Sequence, residues 1–365
     1  MEYRINQKTK DKISILGLGA SVLSDNGHDE GIRILETAYD NGINYFDLAG
    51  GSSELFDLHR EVFSNGRRKD IFYQLHFGAI YNRGKYGWSL NPKMIEQSIE
   101  TELKQLKTDY IDFGFIHCID QAQIWQMHQK KGILDMIRRY QEQGIIRHLG
   151  LSSHTPVIAE QIMDEVDLGM LMFSINPAYD YHHGDFANGT AVERMHLYQR
   201  CEKEGVGISV MKPYAGGQLL DDKQSIFGQA LTEVQCLKYA LDKPGVLTVV
   251  PGISSEEHLH KVLHLLDATS EELDYSIIST ATPKDVAGRC VYCNHCAPCP
   301  QGINVGLVNK YYDLARVGDE MAAMHYKNLE KHASDCIRCN HCNQSCPFRV
   351  DQMSVMEEIK TYMGF

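Results

Sequence analysis

The chain has 365 residues, 43% of them hydrophobic, and a formal charge of −12. Its length exceeds one ordinary domain, so two are expected. The acidic balance excludes the basic face that nucleic-acid binding requires. No run approaches the ~18 apolar residues of a membrane span, and residues 1–12 are too polar for a secretory leader, so a cytoplasmic protein is expected.

From residue 13 onward, short β-rich runs alternate with amphipathic stretches. The pattern predicts strands over 13–17, 44–47, 71–76, 111–117, 148–152, 170–175, 207–211 and 247–251. Between them it predicts helices over 30–41, 53–64, 92–107, 133–143, 156–166, 191–203, 232–241 and 256–266. Asn91-Pro92 and Thr155-Pro156 each put an N-cap before a first-turn proline, and Ser255 precedes two glutamates. Gly42, Gly144 and Gly205 stop the helices before them. Eight β/α units in about 250 residues are the pattern of a (β/α)8 TIM barrel. An open doubly wound sheet competes, but Gly17-Leu18-Gly19-Ala20 lacks the third glycine of that fold's phosphate loop. The barrel is expected over residues 1–285, followed by a small, mainly helical domain over 286–365.

In such barrels the chemistry lies at the C-terminal strand ends. Those ends carry Asp47, His76, His117, Ser152-Ser153-His154, Asn176, Met211-Lys212 and Gly252-Ile253-Ser254. Any one of these is as readily a hydrogen-bonded structural residue. Asp47, His76 and His117 together, titratable groups on three successive ends, are the catalytic candidates. His182-His183, in a loop after the sixth strand, is a candidate for the wall of a substrate pocket.

Eight of the eleven cysteines fall in the last quarter of the chain, in two runs ending in Cys-Pro. One is Cys290-x2-Cys293-x2-Cys296-x2-Cys299-Pro300; the other is Cys336-x2-Cys339-x2-Cys342-x3-Cys346-Pro347. Thiolates at i, i+3 and i+6 can converge on three irons of a cubane while a more distant cysteine completes the set, so the runs point to two [4Fe–4S] clusters and single-electron chemistry. A disulfide framework belongs to small secreted chains. Structural zinc, the competing reading, uses four ligands, typically as two separated Cys-x2-Cys pairs. The two-cluster spacing assigns Cys290, Cys293, Cys296 and Cys346 to one cluster and Cys336, Cys339, Cys342 and Cys299 to the other; in the simpler alternative each run holds its own. Between the runs, hydrophobic spacing predicts two helices divided at Gly318. His295 and His341 are expected beside the clusters rather than on them, and Cys118, Cys201 and Cys236 as ordinary half-buried residues.

Several barrel segments resemble the aldo/keto reductase superfamily: Ile43-Asn44-Tyr45-Phe46-Asp47, Asp109-Tyr110-Ile111-Asp112 leading to His117, and Gly144-Ile145-Ile146-Arg147-His148-Leu149-Gly150-Leu151-Ser152. Gly205-Val206-Gly207-Ile208, Met211-Lys212-Pro213 and Val249-Val250-Pro251-Gly252 follow in the same order. One branch of that superfamily carries a C-terminal ferredoxin-type domain, so the resemblance covers nearly the whole chain. It implies carbonyl reduction with NAD(P)H by an Asp, Tyr, Lys and His set. Asp47 matches the aspartate and His117 the histidine. His76 stands where the lysine would be, and the loop 48–54 has no tyrosine. His76, His117, Tyr81, Tyr86 and Lys212 are the candidates to replace the missing acid.

The resemblance also places a nicotinamide against Met211, with its amide near Ser152, Ser153 and Ser174. Its phosphates fall on the loops holding Gly216, Gly217, Gly252 and Ser254, beside Lys212; a flavin mononucleotide (FMN) would suit the same loops. The expected function is an iron–sulfur oxidoreductase that reduces or oxidises a small organic carbonyl or conjugated substrate with electrons passed through its clusters. Two alternatives stand beside it: a plain NAD(P)H-dependent reductase with structural clusters, and a non-catalytic electron-transfer subunit built on a barrel scaffold. A ferredoxin, a flavodoxin or another redox partner is expected, the acidic charge favouring a partner with a basic face over an acidic one, and a homodimer is a further expectation.

Overall fold

Parallel strands must be joined by crossovers long enough to return the chain to the same end, and the amphipathic stretches provide them. The computed structural model describes residues 1–281 and 288–364. Its strands are β1 (Tyr3–Ile5), β2 (Lys12–Ser14), β3 (Leu18–Gly19), β4 (Tyr45–Asp47), β5 (Phe72–Phe77), β6 (Ala79–Asn82), β7 (Lys85–Trp88), β8 (Ile111–Ile116), β9 (Ile146–Ser153), β10 (Met170–Ser174), β11 (Gly207–Met211) and β12 (Val246–Val249). The barrel helices are α1 (His28–Asp40), α2 (Glu54–Phe63), α3 (Pro92–Leu106), α4 (Ala122–Lys130), α5 (Ile133–Glu142), α6 (Pro156–Glu165), α7 (Pro177–Asp180), α8 (Ala191–Glu204), α9 (Glu233–Leu241) and α10 (Glu256–Leu263). Beyond them lie α11 (Val305–Arg316), α12 (Glu320–Lys327), α13 (His341–Ser345) and α14 (Gln352–Met363).

The order β12-β11-β10-β9-β8-β5-β4-β3 makes a parallel sheet. Parallel bridges from Leu16 to Val249 and from Gly19 to Gly252 join its two edges and close it. The closure is tight at Gly17, where a Cβ would lie 2.7 Å from Val250 Cγ1 and 2.9 Å from the Tyr45 carbonyl oxygen. This is the eight-stranded barrel expected from the alternation. The first strand differs from its sequence reading, because the run over 13–17 is divided. β2 pairs antiparallel with β1, and only Leu18–Gly19 pairs with β4. That hairpin packs across the start of the later strands: Arg4 Nη1 donates to Leu241 O at 3.0 Å, and the buried Asn6 donates to Gly169 O at 2.9 Å.

Side chains two apart on a strand share a face, and this period builds the barrel interior in layers. Tyr45, Phe113, Phe115, Met170 and Met172 form a buried apolar layer. One step further along the same faces stand Asp47, His117 and Ser174, with Gln74 and His76 on β5 between them. The polar rim is thus the last turn of the same alternation that fills the core.

After β5 the chain forms a hairpin rather than an open loop. β6 and β7 pair antiparallel, Tyr81 opposite Tyr86. Arg83 (φ 52°) and Gly84 (φ 78°) occupy the two central turn positions, and positive φ at both matches the right-handed twist of the strands. Beyond the barrel, α11 packs on α8 and α14 on α11. α11 and α12 are separated at Gly318, as expected. The expected boundary at 285/286 lies outside the described residues. Among the described residues no helix is long and apolar enough to cross a membrane.

Glu102 on α3 is 3% exposed, and its Oε1 accepts a hydrogen bond from Ser98 Oγ at 2.7 Å. Burial pushes its carboxyl from 4.5 up to about 8, against the Ser98 bond. The folded chain therefore holds a proton that the unfolded chain releases as pH rises from 4.5 to 8, and stability falls across that window. Glu102→Gln removes the linkage, worth roughly 1.4 kcal/mol per pH unit. Its melting temperature is expected to match wild type near pH 4.5 and to exceed it increasingly up to pH 8. Parallel melting curves across that range would refute the assignment.

Candidate active site

A carboxylate inside a barrel needs donors, and Asp47 finds two. Its Oδ1 accepts from Gln74 Nε2 at 2.9 Å and from His76 Nε2 at 2.8 Å. Gln74 is held in turn through its Oε1, which accepts from Tyr45 Oη at 2.5 Å and Ser209 Oγ at 3.0 Å. His76 Nε2 also lies 2.9 Å from the Gln74 Nε2 donor, so the tautomer that serves the carboxylate puts hydrogen on Nε2 and leaves Nδ1 as the acceptor. His117 Nδ1 lies 3.0 Å from His76 Nδ1, and the Tyr86 hydroxyl 2.7 Å from His117 Nε2. One consistent set of hydrogens follows: Tyr86 donates to His117, His117 to His76, and His76 to Asp47.

Asp47, His76 and His117 are all buried, while Tyr86 at the open end is 41% exposed. Burial, followed by the neighbouring His76 and His154, holds the His117 imidazole well below its usual range, so it rests neutral. Burial, with Cys118 and Asp47 adding, pushes the Tyr86 phenol up to about 12, so it keeps its proton at neutral pH. The hairpin can fold over His117 because residue 78 is glycine: its φ is 128°, and a Cβ there would lie 3.1 Å from His117 Cβ. Of the two hairpin tyrosines, only Tyr86 meets His117; Tyr81 donates to the Gly50 carbonyl at 3.2 Å.

Next to His117 is a second polar group. His154 Nδ1 lies 2.9 Å from Asp120 Oδ2, and the Cys118 sulfur lies 3.7 Å from that oxygen. The His154 ring stacks on Phe186, and the Lys212 ammonium lies 4.3 Å from the centroid of the same ring. Burial lowers the Lys212 pKa, while Cys118, Asp120 and Asp47 oppose that shift.

The residues expected to hold a cofactor have divided fates. The Ser153 hydroxyl donates to Ile119 O at 2.7 Å and accepts from Thr155 N at 3.1 Å, so it staples its own loop. The Ser152 carbonyl accepts from Ile119 N at 2.9 Å. The Ser174 hydroxyl is buried with no hydrogen-bond partner among the described residues. Met211 is half-buried at the end of β11. Gly216 (φ 69°) and Gly217 (φ 92°) form a turn with open space above both. Gly252 helps close the barrel, and the Ser254 carbonyl accepts from Asn26 Nδ2 at 2.9 Å. The N-terminus of α10 is already supplied with anions, since Glu30 accepts from the Glu256 amide at 2.9 Å and Glu257 follows. His182 and His183 are both exposed, and His182 Nε2 accepts from the Ala191 amide at the start of α8, so the expected pocket wall is a helix entry instead.

All eleven cysteines are free thiols. Cys299, Cys336, Cys339 and Cys342 line one cavity together with Cys296 and the apolar Ile303 and Met356. Cys346 instead neighbours Cys293 and Cys296 electrostatically, and Cys290 neighbours the same two. Cys296 thus neighbours both groups of sulfurs. A tetrahedral zinc with Zn–S bonds near 2.3 Å would bring its sulfurs about 3.8 Å apart. Among the described residues, the only His, Cys, Asp and Glu donors gathered three or more within 4.8 Å are Cys118, Asp120 and His154. The cysteine sets are thus spread more widely than a single ion requires. Burial, and then the neighbouring sulfurs, raises the pKa of Cys290 and Cys296, so these sets ionise readily only around a cationic centre.

Sequence reasoning missed Gln74 altogether. Its signal was its place two residues before His76, on the same inward face of one strand.

A model of the aldo/keto reductase family matches residues 15–233. The chain is 26% identical over 312 residues to the uncharacterized oxidoreductase YqkF of Bacillus subtilis, covering 75% of this chain and 94% of that protein. It is 22% identical over 298 residues to the L-galactose dehydrogenase of Arabidopsis thaliana, covering 73% of this chain and 89% of that protein. The solved holo form of aldo-keto reductase AKR11C1 from Bacillus halodurans matches with a TM-score of 0.62 at 21% identity, covering 78% of this chain and 97% of that one. At that identity the likeness speaks for the fold.

Cys118 provides a direct check on the electrostatics of the rim. Burial, with Asp120 adding, pushes its thiol from 9.0 up to about 12, which cuts the thiolate fraction at pH 8 by roughly 10³-fold. Peptide mapping after iodoacetamide treatment of the native chain is expected to show Cys118 reacting slower than a free thiol by about that factor. Alkylation at the rate of an ordinary thiol would refute the shift.

Proposed function

The chain belongs to the aldo/keto reductase family and is an oxidoreductase; from that premise we propose that it interconverts a small carbonyl compound and its alcohol at the barrel mouth, with Tyr86 as the proton-exchanging residue. The observation that carries this reading is the unbroken run of hydrogen bonds Tyr86–His117–His76–Asp47, with spacings of 2.7, 3.0 and 2.8 Å. The run has a polarity. An alcohol bound at Tyr86 passes its proton to the phenol oxygen as the phenol proton moves to His117 Nε2. The Nδ1 proton of His117 moves to His76, and the Nε2 proton of His76 moves to Asp47. One proton has left the substrate, one has reached the carboxylate, and both rings are neutral again. Carbonyl reduction runs the same steps backwards from protonated Asp47. His76 and His117 are thus proton carriers, and Asp47 is the terminal store.

Other residues of the rim suit a bound cofactor. The unpartnered Ser174 hydroxyl and Met211 would flank a nicotinamide or flavin ring, and Lys212 with the amides of Gly216 and Gly217 would meet its phosphates. We also propose that the segment after the barrel, residues 286–365, is a ferredoxin-type module whose crossed cysteine sets each hold a [4Fe–4S] cluster. When bound, a nicotinamide or flavin supplies or accepts a hydride, and clusters of this type supply or accept single electrons. Because the relay contains its own tyrosine, the plain nicotinamide-dependent reductase is the second reading that the site favours.

Two measurements test these proposals. Tyr86→Phe is expected to lower kcat by about 10²–10⁴-fold on any aldehyde or alcohol that wild type turns over, with KM little changed; unaltered kcat would sink the proton role. Anaerobically purified wild type is expected to hold about eight irons per chain. Cys346→Ser and Cys299→Ser are each expected to lose about half of them, from different clusters, as read by electron paramagnetic resonance. If Cys346→Ser instead damages the cluster of Cys336, Cys339 and Cys342, the crossed assignment is wrong.

A further inference from the structure

Lys243 follows the last turn of α9 and is 1% exposed, with no hydrogen-bond partner for its ammonium among the described residues. Its Nζ sits 3.8 Å from the centroid of the Tyr239 ring. A contact of that kind stabilises a desolvated cation modestly, while burying an ammonium remains costly even after relaxation. The ring alone does not offset the burial.

The nearby carboxylates already have partners. Asp180 accepts from Arg194 Nε at 2.7 Å, Tyr198 Oη at 2.6 Å and Tyr239 Oη at 2.7 Å. Asp242 is bonded to Lys238 and to Tyr275 Oη. The remaining negative neighbours of Lys243 are cysteines. Lys243 and Cys290 line the same cavity, between α8, α9 and the cysteine-rich segment. Burial lowers the lysine's pKa, and Asp180, Asp242, Cys293 and Cys290 act against that shift in that order.

Four thiolates around a cubane leave it anionic, and each electron taken up adds negative charge. A fixed ammonium beside it stabilises the reduced form more than the oxidised one. Resting on the reading that Cys290, Cys293, Cys296 and Cys346 hold a cluster, we propose that Lys243 is the buried counter-charge of that cluster and raises its reduction potential. Lys243 touches no substrate; it acts through the cluster.

The test compares wild type, Lys243→Met and Lys243→Arg as full chains purified without oxygen, by iron and sulfide content and by potentiometric titration followed by electron paramagnetic resonance. Lys243→Met is expected to keep its iron and to shift the one-electron equilibrium of one cluster at least tenfold toward the oxidised form, about 59 mV. Lys243→Arg, which keeps the charge, is expected to titrate like wild type. Loss of one cluster in Lys243→Met but not in Lys243→Arg would equally support the role of the charge. Unchanged potentials in an iron-replete Lys243→Met, or iron loss in both variants, would overturn it. Wild type without iron would overturn the cluster reading itself, a failure visible before either variant is made.

Discussion

The negative charge of Asp47 sits where strand β4 leaves the barrel, 7% exposed and above an apolar layer. A carboxylate so placed must be met by hydrogen-bond donors, and that demand orders much of the rim. His76 meets it through Nε2, which leaves Nδ1 as an acceptor and turns His117 so that its own Nε2 faces Tyr86. Gln74, clamped by Tyr45 and Ser209, donates to the same Oδ1 beside His76. One buried charge therefore sets the tautomers of two histidines and the direction of a hydroxyl on a separate hairpin. Neutralise it, and the Gln74 amide, 2.9 Å from His76 Nε2, is left to orient that ring.

The parts of this arrangement that were legible in the sequence are those that depend on strand period alone. Asp47, His76 and His117 could be read as a group because each ends a β-rich run, and the fold carries neighbouring strand ends to one rim. Tyr86 was legible only as one of two tyrosines in the loop after the third predicted strand. Choosing it over Tyr81 needs the turn at Arg83-Gly84, which lacks the familiar Asn-Gly signal, and so needs the register of the pairing. Ser153 looked like a cofactor contact, but its hydroxyl holds its own loop, a use that no spacing reveals. Lys243 was invisible, since a lysine before Pro244-Gly245 reads as an ordinary solvated turn residue and its burial comes from what packs over it. The strand over 13–17 was misplaced because its first half has a better partner in residues 3–5, outside the barrel.

The relay also alters how the two halves of the chain relate. An active site without its proton donor would leave the cysteine-rich segment to explain how the barrel reacts at all. With Tyr86 supplying the proton, barrel and clusters are separable proposals. On the proposed relay the barrel would not depend on the clusters for its proton, and Lys243 is the residue through which the two would sense one another. Its surroundings suit such a post, because the carboxylates near it are bonded elsewhere and its charge is left without a hydrogen-bonded partner among the described residues.

The hairpin that carries Tyr86 has a further consequence. Successive side chains on a strand face opposite ways, so a one-residue slip of β7 against β6 would turn Tyr86 away from His117 and bring Lys85 or Gly87 into its place. The identity of the group at the end of the relay thus depends on the register of this hairpin, which the turn and the bonds from Ser53 N to Gly84 O and from Tyr86 N to Gly51 O hold together. Lengthening that turn by one residue would exchange a phenol for an amine or for bare backbone while leaving all eight barrel strands untouched. In this fold the scaffold and the terminal acid can diverge independently, and insertions in the hairpin are the cheapest route to a new chemistry on the same rim.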